Sequence, residues 1–231
     1  MLDRLFTNKL TIQKLFFIIA NLFFVSYAFL ALYYFKERCL YIDSAFQLFK
    51  IINFENFNIE ASRYGVFFTQ LLPLLAIKLG LPLKTRLVIY SLSFVIVYYS
   101  VFLLCYFKLK EKTASFIIPV VLIIGISNGF FYLVTEIYQA IIFLIAFYAW
   151  ISNRFVGVRT IKTKVFDISI AILLFLQCFF CHPTAVFPAL FIIGYHVLYH
   201  KQFRKNELFI LVPLIIIVAF VKINLTKSFT Y

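Results

Sequence analysis

Five charged or titratable side chains stand where an otherwise apolar chain could do chemistry: Asp43, Arg63, Arg86, Glu136 and His182. Asp43 lies in "CLYIDSAFQLFK" (39–50), a lone carboxylate among aromatic and aliphatic neighbours. A carboxylate partly stripped of water is a good proton acceptor, which makes Asp43 a candidate general base. The plainer reading is a solvated interfacial acid paired with Arg38 or Lys36. Glu136 opens "EIYQAIIFLIAFYAW". An acid in a first helical turn is favoured by the helix dipole, with Thr135 as its N-cap. Glu136 is equally a second acid that could position an acceptor or a metal. His182-Pro183 interrupts apolar sequence, and proline forces a turn there. A histidine at such a turn can donate hydrogen bonds to phosphate, or simply link two helices. Arg63, Lys84 and Arg86 flank "YGVFFTQLLPLLAIKLG" (64–80). They suit a lipid phosphate or the headgroup layer. Arg86 is the best placed, because a guanidinium grips phosphate with two parallel hydrogen bonds.

Other patterns carry less. His196 and His200 are four residues apart with no third ligand in view, so they read as interfacial residues rather than a metal site. Cys178 and Cys181 have CxxC spacing but no second pair, and Cys in apolar sequence behaves as a small hydrophobe. No metal-ligating residues are assigned. The sequence has no Gly-rich phosphate loop, no HExxH and no GxSxG.

The elements that must position these residues are membrane helices. The chain has 231 residues, of which 64% are hydrophobic and 13% charged, with a mean hydropathy of +1.00. Soluble domains are about half apolar and a quarter charged. The composition therefore predicts an all-α polytopic transmembrane bundle, a single domain over 1–231. The net charge of +13 does not point to nucleic acid. Its Lys and Arg sit in short runs between apolar segments, where they act as topology signals. The N-terminal apolar run is longer than a signal-peptide core and lacks a cleavage site, so it reads as an uncleaved anchor.

Seven stretches predict spans: 12–35, 86–107, 114–131, 137–152, 166–181, 185–199 and 208–223. The piece 64–80 is ambiguous, being short and containing Gln70 and Pro73. If it spans, the basic loops "KLKEKT", "NRFVGVRTIKTK" and "HKQFRKNE" leave the cytoplasmic side. If it does not, all three lie inside together with Arg4, Lys9 and Lys14, as positive-inside orientation requires. That choice makes 36–85 one long outer loop carrying interfacial helices. Asp43, Glu55, Glu60, Arg63, Glu136 and His182 then all fall on the outer side.

The order of these parts resembles the GT-C superfamily of membrane glycosyltransferases, especially its protein O-mannosyltransferase and aminoarabinose-transferase branch. In that family a first span is followed by an outer loop that opens with an acidic motif. Here "YIDSAFQLFK" stands in that place, with Ser44 where a second acid is common. An interfacial helix ending in Phe/Leu-Gly and an Arg opening the second span resemble "LPLLAIKLGLPLKTRLVIYSLSF", with Gly80 and Arg86. "TEIYQAIIFLIAFYAW" is similar to a later outer helix start. "CHPTAVFPAL" is similar to an outer turn with a basic residue, here His182. The resemblance implies sugar transfer from a polyprenyl-phosphate donor on the outer face. The Phe, Ile, Lys and Tyr bias points to a bacterial inner membrane, and the basic loops put the N-terminus in the cytoplasm. It implies Asp43 as general base, Glu136 holding acceptor or donor, and Arg86 and His182 at the donor phosphate. Whether a divalent metal takes part is not decided by these motifs. Family members usually continue beyond the point that Tyr231 occupies, so the resemblance implies an N-terminal part or a truncated member. A transporter or flippase is the alternative, although such proteins carry ionisable groups in mid-membrane. A non-catalytic assembly subunit is a third reading.

Overall fold

A computed structural model describes residues 2–60, 62–125, 129–134, 136–157, 160–199 and 205–228. All of its elements are helical. In chain order they are α1 (Leu2–Tyr33), α2 (Phe35–Leu40), α3 (Ile42–Phe54), α4 (Phe67–Lys78), α5 (Leu83–Leu103), α6 (Lys112–Ile124), α7 (Glu136–Arg154), α8 (Ile161–Cys181), α9 (Val186–Tyr199) and α10 (Lys205–Ser228). Short turns at Tyr64–Val66 and Pro183–Ala185 lead into α4 and α9, and a π-helical turn, Leu104–Lys108, extends α5.

Among the described residues four stretches are long and apolar enough to cross a membrane: Ile12–Tyr33, Leu83–Lys108, Glu136–Arg154 and Ile161–Cys181. Their outward faces are apolar, as Leu22, Val25 and Phe29 on α1 and Leu173 on α8 show by their exposure. A helix apolar on all sides belongs in lipid. Among the described residues the other apolar stretches, Tyr64–Lys78, Lys112–Ile124, Pro183–Tyr199 and Leu208–Val221, are shorter, the last lying within the 24-residue α10. The reading of 114–131 as one span differs from the structure, where α6 ends at Ile124 and the Gly125 amide closes the helix on the Val121 carbonyl.

The ambiguous piece 64–80 forms only the twelve-residue α4 after its entry turn. At 1.5 Å per residue that is about 18 Å, too short to cross. Gln70 explains part of its placement. Its amide nitrogen donates to the Asn58 carbonyl (2.9 Å), and its side-chain oxygen accepts from the Asn58 amide (2.8 Å). A buried polar side chain is thereby fully used to tie α4 to the preceding loop. Gly80, at φ 66°, then turns the chain into α5.

Long-range polar contacts mark both ends of the bundle, with Tyr99 of α5 donating to Asn21 of α1 midway between them. At one end α2 meets α5 through Arg38 and Ser91, α3 meets α5 through Gln47 and Tyr90, and the turn before α4 meets the end of α8. At the other end Gln13 of α1 accepts from Lys112, and Arg154 of α7 binds Asp167 of α8. The core runs between them. One cluster packs α1, α5, α6 and the first half of α7, including Phe24, Phe94, Phe102 and Ile142. A second packs the rest of α7 with α8, α9 and α10 around Phe147, Phe175, Phe179 and Ile193.

Candidate functional site

Asp43 is delivered by a break in the chain. The helix that follows α1 stops at Leu40, Tyr41 is extended, and α3 restarts at Ile42. Ile42 has φ 26°, a region that a β-branched residue rarely enters. The carboxylate thus stands in the first turn of α3, exposed to solvent, while Ser44 beside it is buried. Its hydrogen-bond partner is the hydroxyl of Tyr132, which donates to Oδ2. One turn along α3, Gln47 is buried and its Oε1 accepts from the Tyr90 hydroxyl at 2.8 Å. That bond fixes the face of α3 on which Asp43 lies.

Glu136 and Arg63 come from segments far apart in sequence. Arg63 Nη1 donates to both carboxylate oxygens of Glu136 at 2.5 Å. Glu136 is the first residue of α7, as the helix-dipole reading expects, and it is the more buried partner. Gly65 holds the Arg63 loop in place. The Gly65 carbonyl accepts from Gln177 Nε2 of α8 at 2.6 Å. A Cβ on Gly65 would lie 2.5 Å from the Cys181 amide nitrogen and 2.7 Å from the Gln177 carbonyl oxygen. Backbone approaches that close need glycine.

These groups face one polar pocket of about 130 Å3, open to solvent and lined by Asp43, Gln47, Asn58, Glu60, Arg63, Val66, Tyr132, Val134 and Glu136. Glu60 is bound by Lys50 at 3.2 Å and by Asn58 Nδ2 at 3.1 Å. Arg63 is already occupied by Glu136, so the pocket presents one carboxylate, Asp43, held only by a phenol. Its hydrogen bond to Asp43 pushes the Tyr132 hydroxyl up to about 12, with loss of water a smaller cause. Tyr132 therefore stays protonated across the neutral range and donates to the carboxylate. This arrangement can accept a proton from a neutral hydroxyl or amine bound in the pocket. It offers little to an anion.

The structure brings Asp43, Arg63 and Glu136 together, along with Glu60. It places Arg86 and His182 at the same end of the bundle but outside the pocket lining. Arg86 Nε donates back to the Leu81 carbonyl at the start of α5. His182 Nδ1 is 2.7 Å from the Thr184 hydroxyl and caps the short turn before α9. The pairing of Asp43 with Arg38 or Lys36 does not form. Arg38 is fully buried, its Nη2 donating to the Ser91 carbonyl. Thr135 and His200 lie outside the described residues. His196 is not interfacial but 1% exposed, bonded to Ser152 Oγ at 2.9 Å and to the Ile192 carbonyl at 2.8 Å. Cys178 and Cys181 are buried thiols that form no disulfide with each other, and Cys181 Sγ accepts from Gln177 Nε2. Among the described residues no three His, Cys, Asp or Glu side chains are grouped to hold a metal ion.

Tyr132, Gln47 and Asn58 escaped the sequence. Tyr132 is one of 15 tyrosines, with nothing in its surroundings to single it out. Gln47 was legible in principle, since it lies four residues after Asp43 on one helical face. No family model matches the chain, and no curated protein and no solved structure is similar to it.

Proposed function

We propose that the protein is a seven-span membrane glycosyltransferase of GT-C type, with its N-terminus in the cytoplasm and its polar pocket on the outer face of a bacterial plasma membrane. It transfers a sugar from a polyprenyl-phosphate donor to an acceptor hydroxyl, with Asp43 as general base. The observation that carries this reading is the convergence of Asp43, Arg63 and Glu136 from separate segments on one pocket at one end of an apolar bundle. The four long apolar helices support the membrane setting.

In this mechanism the acceptor hydroxyl lies within hydrogen-bond reach of Asp43 Oδ1. Oδ2 is held by Tyr132, so the free oxygen takes the proton. The acceptor oxygen bonds to the anomeric carbon. The bond from that carbon to the phosphate oxygen breaks, and the electron pair leaves with the lipid phosphate. Glu136 and Arg63 fix the acceptor by their exposed edges. The donor phosphate meets cationic groups outside the acidic pocket, where Arg86 and His182 stand at the same end of the bundle. Positive groups stabilise the leaving anion as its charge develops.

The test is release of polyprenyl phosphate from supplied polyprenyl-phosphate sugars in membranes holding the native chain or Asp43→Asn. Loss of about a hundredfold is expected, the usual contribution of a general base. Equal release by the two chains removes Asp43 from the mechanism. Absence of release from the native chain, across donor sugars, counts against the transferase reading itself.

A further inference from the structure

Gln47 lines the polar pocket with only 5% of its surface exposed. Its Oε1 accepts from the Tyr90 hydroxyl at 2.8 Å. Among the described residues that is the only hydrogen bond of either side chain. A phenol buried beside a single partner has to donate its proton to it. The amide oxygen therefore faces Tyr90, and the amide nitrogen faces away. Among the described residues the polar side-chain atoms sealed from water without a partner are Arg38 Nε and Nη1, Ser44 Oγ and Gln139 Oε1. Gln47 Nε2 is not one of them. It is an unused donor that remains open, and the space its side chain lines is the pocket.

Asp43 stands one turn earlier on α3, and residues four apart share a helical face. Its Oδ2 accepts from Tyr132, which leaves Oδ1 open. Two open atoms of opposite sense thus sit side by side on one wall, a carboxylate acceptor and an amide donor. The other two acids of the lining are already matched, Glu136 by Arg63 and Glu60 by Lys50. An anionic ligand would be repelled by Asp43. An ammonium would satisfy Asp43 but give Gln47 Nε2 nothing to donate to. A neutral ligand with a donor next to an acceptor satisfies both, and two adjacent hydroxyls are such a pair. The lining narrows the ligand further. Ligand pockets are mostly apolar, but here Val66 and Val134 alone bring aliphatic side chains. That suits a molecule with polar groups on every edge. At about 130 Å3 the space is small beside ordinary ligand pockets, so it takes the edge of one sugar ring rather than a length of polypeptide.

We propose that the pocket binds an uncharged carbohydrate through two adjacent ring hydroxyls, one donating to Asp43 Oδ1 and its neighbour accepting from Gln47 Nε2. The inference rests on the transferase reading, in which this carbohydrate is the acceptor and the hydroxyl at Asp43 is the one that reacts. Gln47 then determines specificity. By holding the neighbouring hydroxyl it sets which position of the ring reaches the base. Tyr90 keeps the amide turned the right way.

The experiment measures binding apart from transfer. The full chain in nanodiscs of uncharged lipid is titrated with the methyl glycosides of glucose, galactose and mannose and with each of their monodeoxy forms, and affinities are read from broadening of the glycoside NMR lines. At least one parent glycoside should bind. Removing the hydroxyl at Asp43 should weaken binding about tenfold, the low side of losing a hydrogen bond to a charged group, and removing its neighbour about threefold. Deletions elsewhere on the ring should matter little. Gln47→Glu keeps an oxygen toward Tyr90 and deletes the donor, so the threefold preference should vanish while the tenfold one remains. If Gln47→Glu does not fold, the deoxy series on the native chain decides alone. Absence of binding by every parent glycoside, or binding that no adjacent pair of deletions weakens, would overturn the proposal. So would tighter binding of an aminosugar or uronic acid glycoside than of its neutral parent, or of an uncharged serine tripeptide than of any glycoside. Failure of the transferase reading looks different. The deoxy pattern would stand, keeping the carbohydrate site, while the bound glycoside and a polyprenyl-phosphate sugar supplied together released no polyprenyl phosphate. Release by a chain that binds no glycoside would keep the transferase and overturn this inference.

Discussion

α7 carries an ion pair at each end, and the two are built for different ends. At its start Glu136 takes Arg63 from a distant loop, with Arg63 37% exposed and open space beside it. At its finish Arg154 takes Asp167 from the neighbouring α8, with the acid at 0% exposure. The Asp167 carbonyl also accepts from Trp150, and Arg154 lies 5.4 Å from that indole ring. Both pairs join α7 to another segment through the same chemistry. The difference lies in what surrounds them. At the Arg154 end the ion pair and the Trp150 bond both join two adjacent helices. At the Glu136 end the pair stands in a pocket with two further acids, Glu60 bound by Lys50 and Asn58, and Asp43 bound by the Tyr132 phenol. Both arginines keep an edge in water, so the contrast lies in the acids: Asp167 is fully buried between helices, whereas Glu136 stays partly exposed at the pocket.

The sharpest way to break this comparison is to neutralise one acid at each end. Asp43→Asn should cost transfer about a hundredfold and leave thermal stability within about 0.5 kcal/mol, as for an exposed surface site. Asp167→Asn should do the reverse. It should lose roughly 1.5–3 kcal/mol of stability, the range for a buried hydrogen bond to a charged group, with transfer per folded molecule unchanged. Activity assays and unfolding curves on the same preparations would decide. If both variants lose stability alike, the two ends are not functionally different.

Gly65→Ala tests whether the pocket depends on close backbone approach. The added methyl group must displace backbone atoms of Gln177 and Cys181. Overpacking of this kind costs about 1–3 kcal/mol. The strain falls on the loop carrying Arg63, so transfer should decline together with stability. Gly194→Ala is the control, since nothing lies within 4 Å of a Cβ there. Its unfolding midpoint should match or exceed that of the native chain.

Glu136→Gln should have a smaller effect. Its partner Arg63 is partly solvated, and pairs of that kind contribute about 0–1 kcal/mol. The expected outcome is a small stability change with an acceptor KM raised several-fold and kcat little altered. An equal fall in kcat would move Glu136 from holding the acceptor to the chemical step.

Much of this arrangement could be read before the fold was known, for identifiable reasons. Composition alone dictates apolar helices. The basic loops set 64–80 apart as a piece that does not cross, and α4 is too short to do so. That same choice gathered Asp43, Glu60, Arg63 and Glu136 at one end, where all four line the pocket. What sequence missed depends on geometry across the fold. Arg38 looks like a partner for Asp43 five residues away. The break at Tyr41 and Ile42 sends one side chain inward and the other outward. His196 looks interfacial near a helix end, but the packing of α9 on α7 buries it against Ser152. Tyr132 has no local signature, because its role depends on where α3 restarts.

The least effect in energy is the most specific to the pocket, and it concerns Tyr132. Its hydroxyl is held protonated up to about 12 because it donates to Asp43. A group whose pKa is raised on folding contributes stability that is present below its ordinary value, near 10 for tyrosine. That contribution is lost as pH rises from about 10 through about 12. The difference in phenolate absorbance between the native chain and Tyr132→Phe should therefore titrate near 12. In an Asp43→Asn background the same difference should move down toward the ordinary tyrosine range, because no carboxylate then favours the protonated phenol. The helix-fastening end predicts no such coupling, so Asp167→Asn should leave the Tyr132 titration where it was. A Tyr132 titration indifferent to Asp43 would mean that the carboxylate is not held by the phenol. Its free oxygen would then have no fixed direction, and the geometry that singles out Asp43 as a base would be lost.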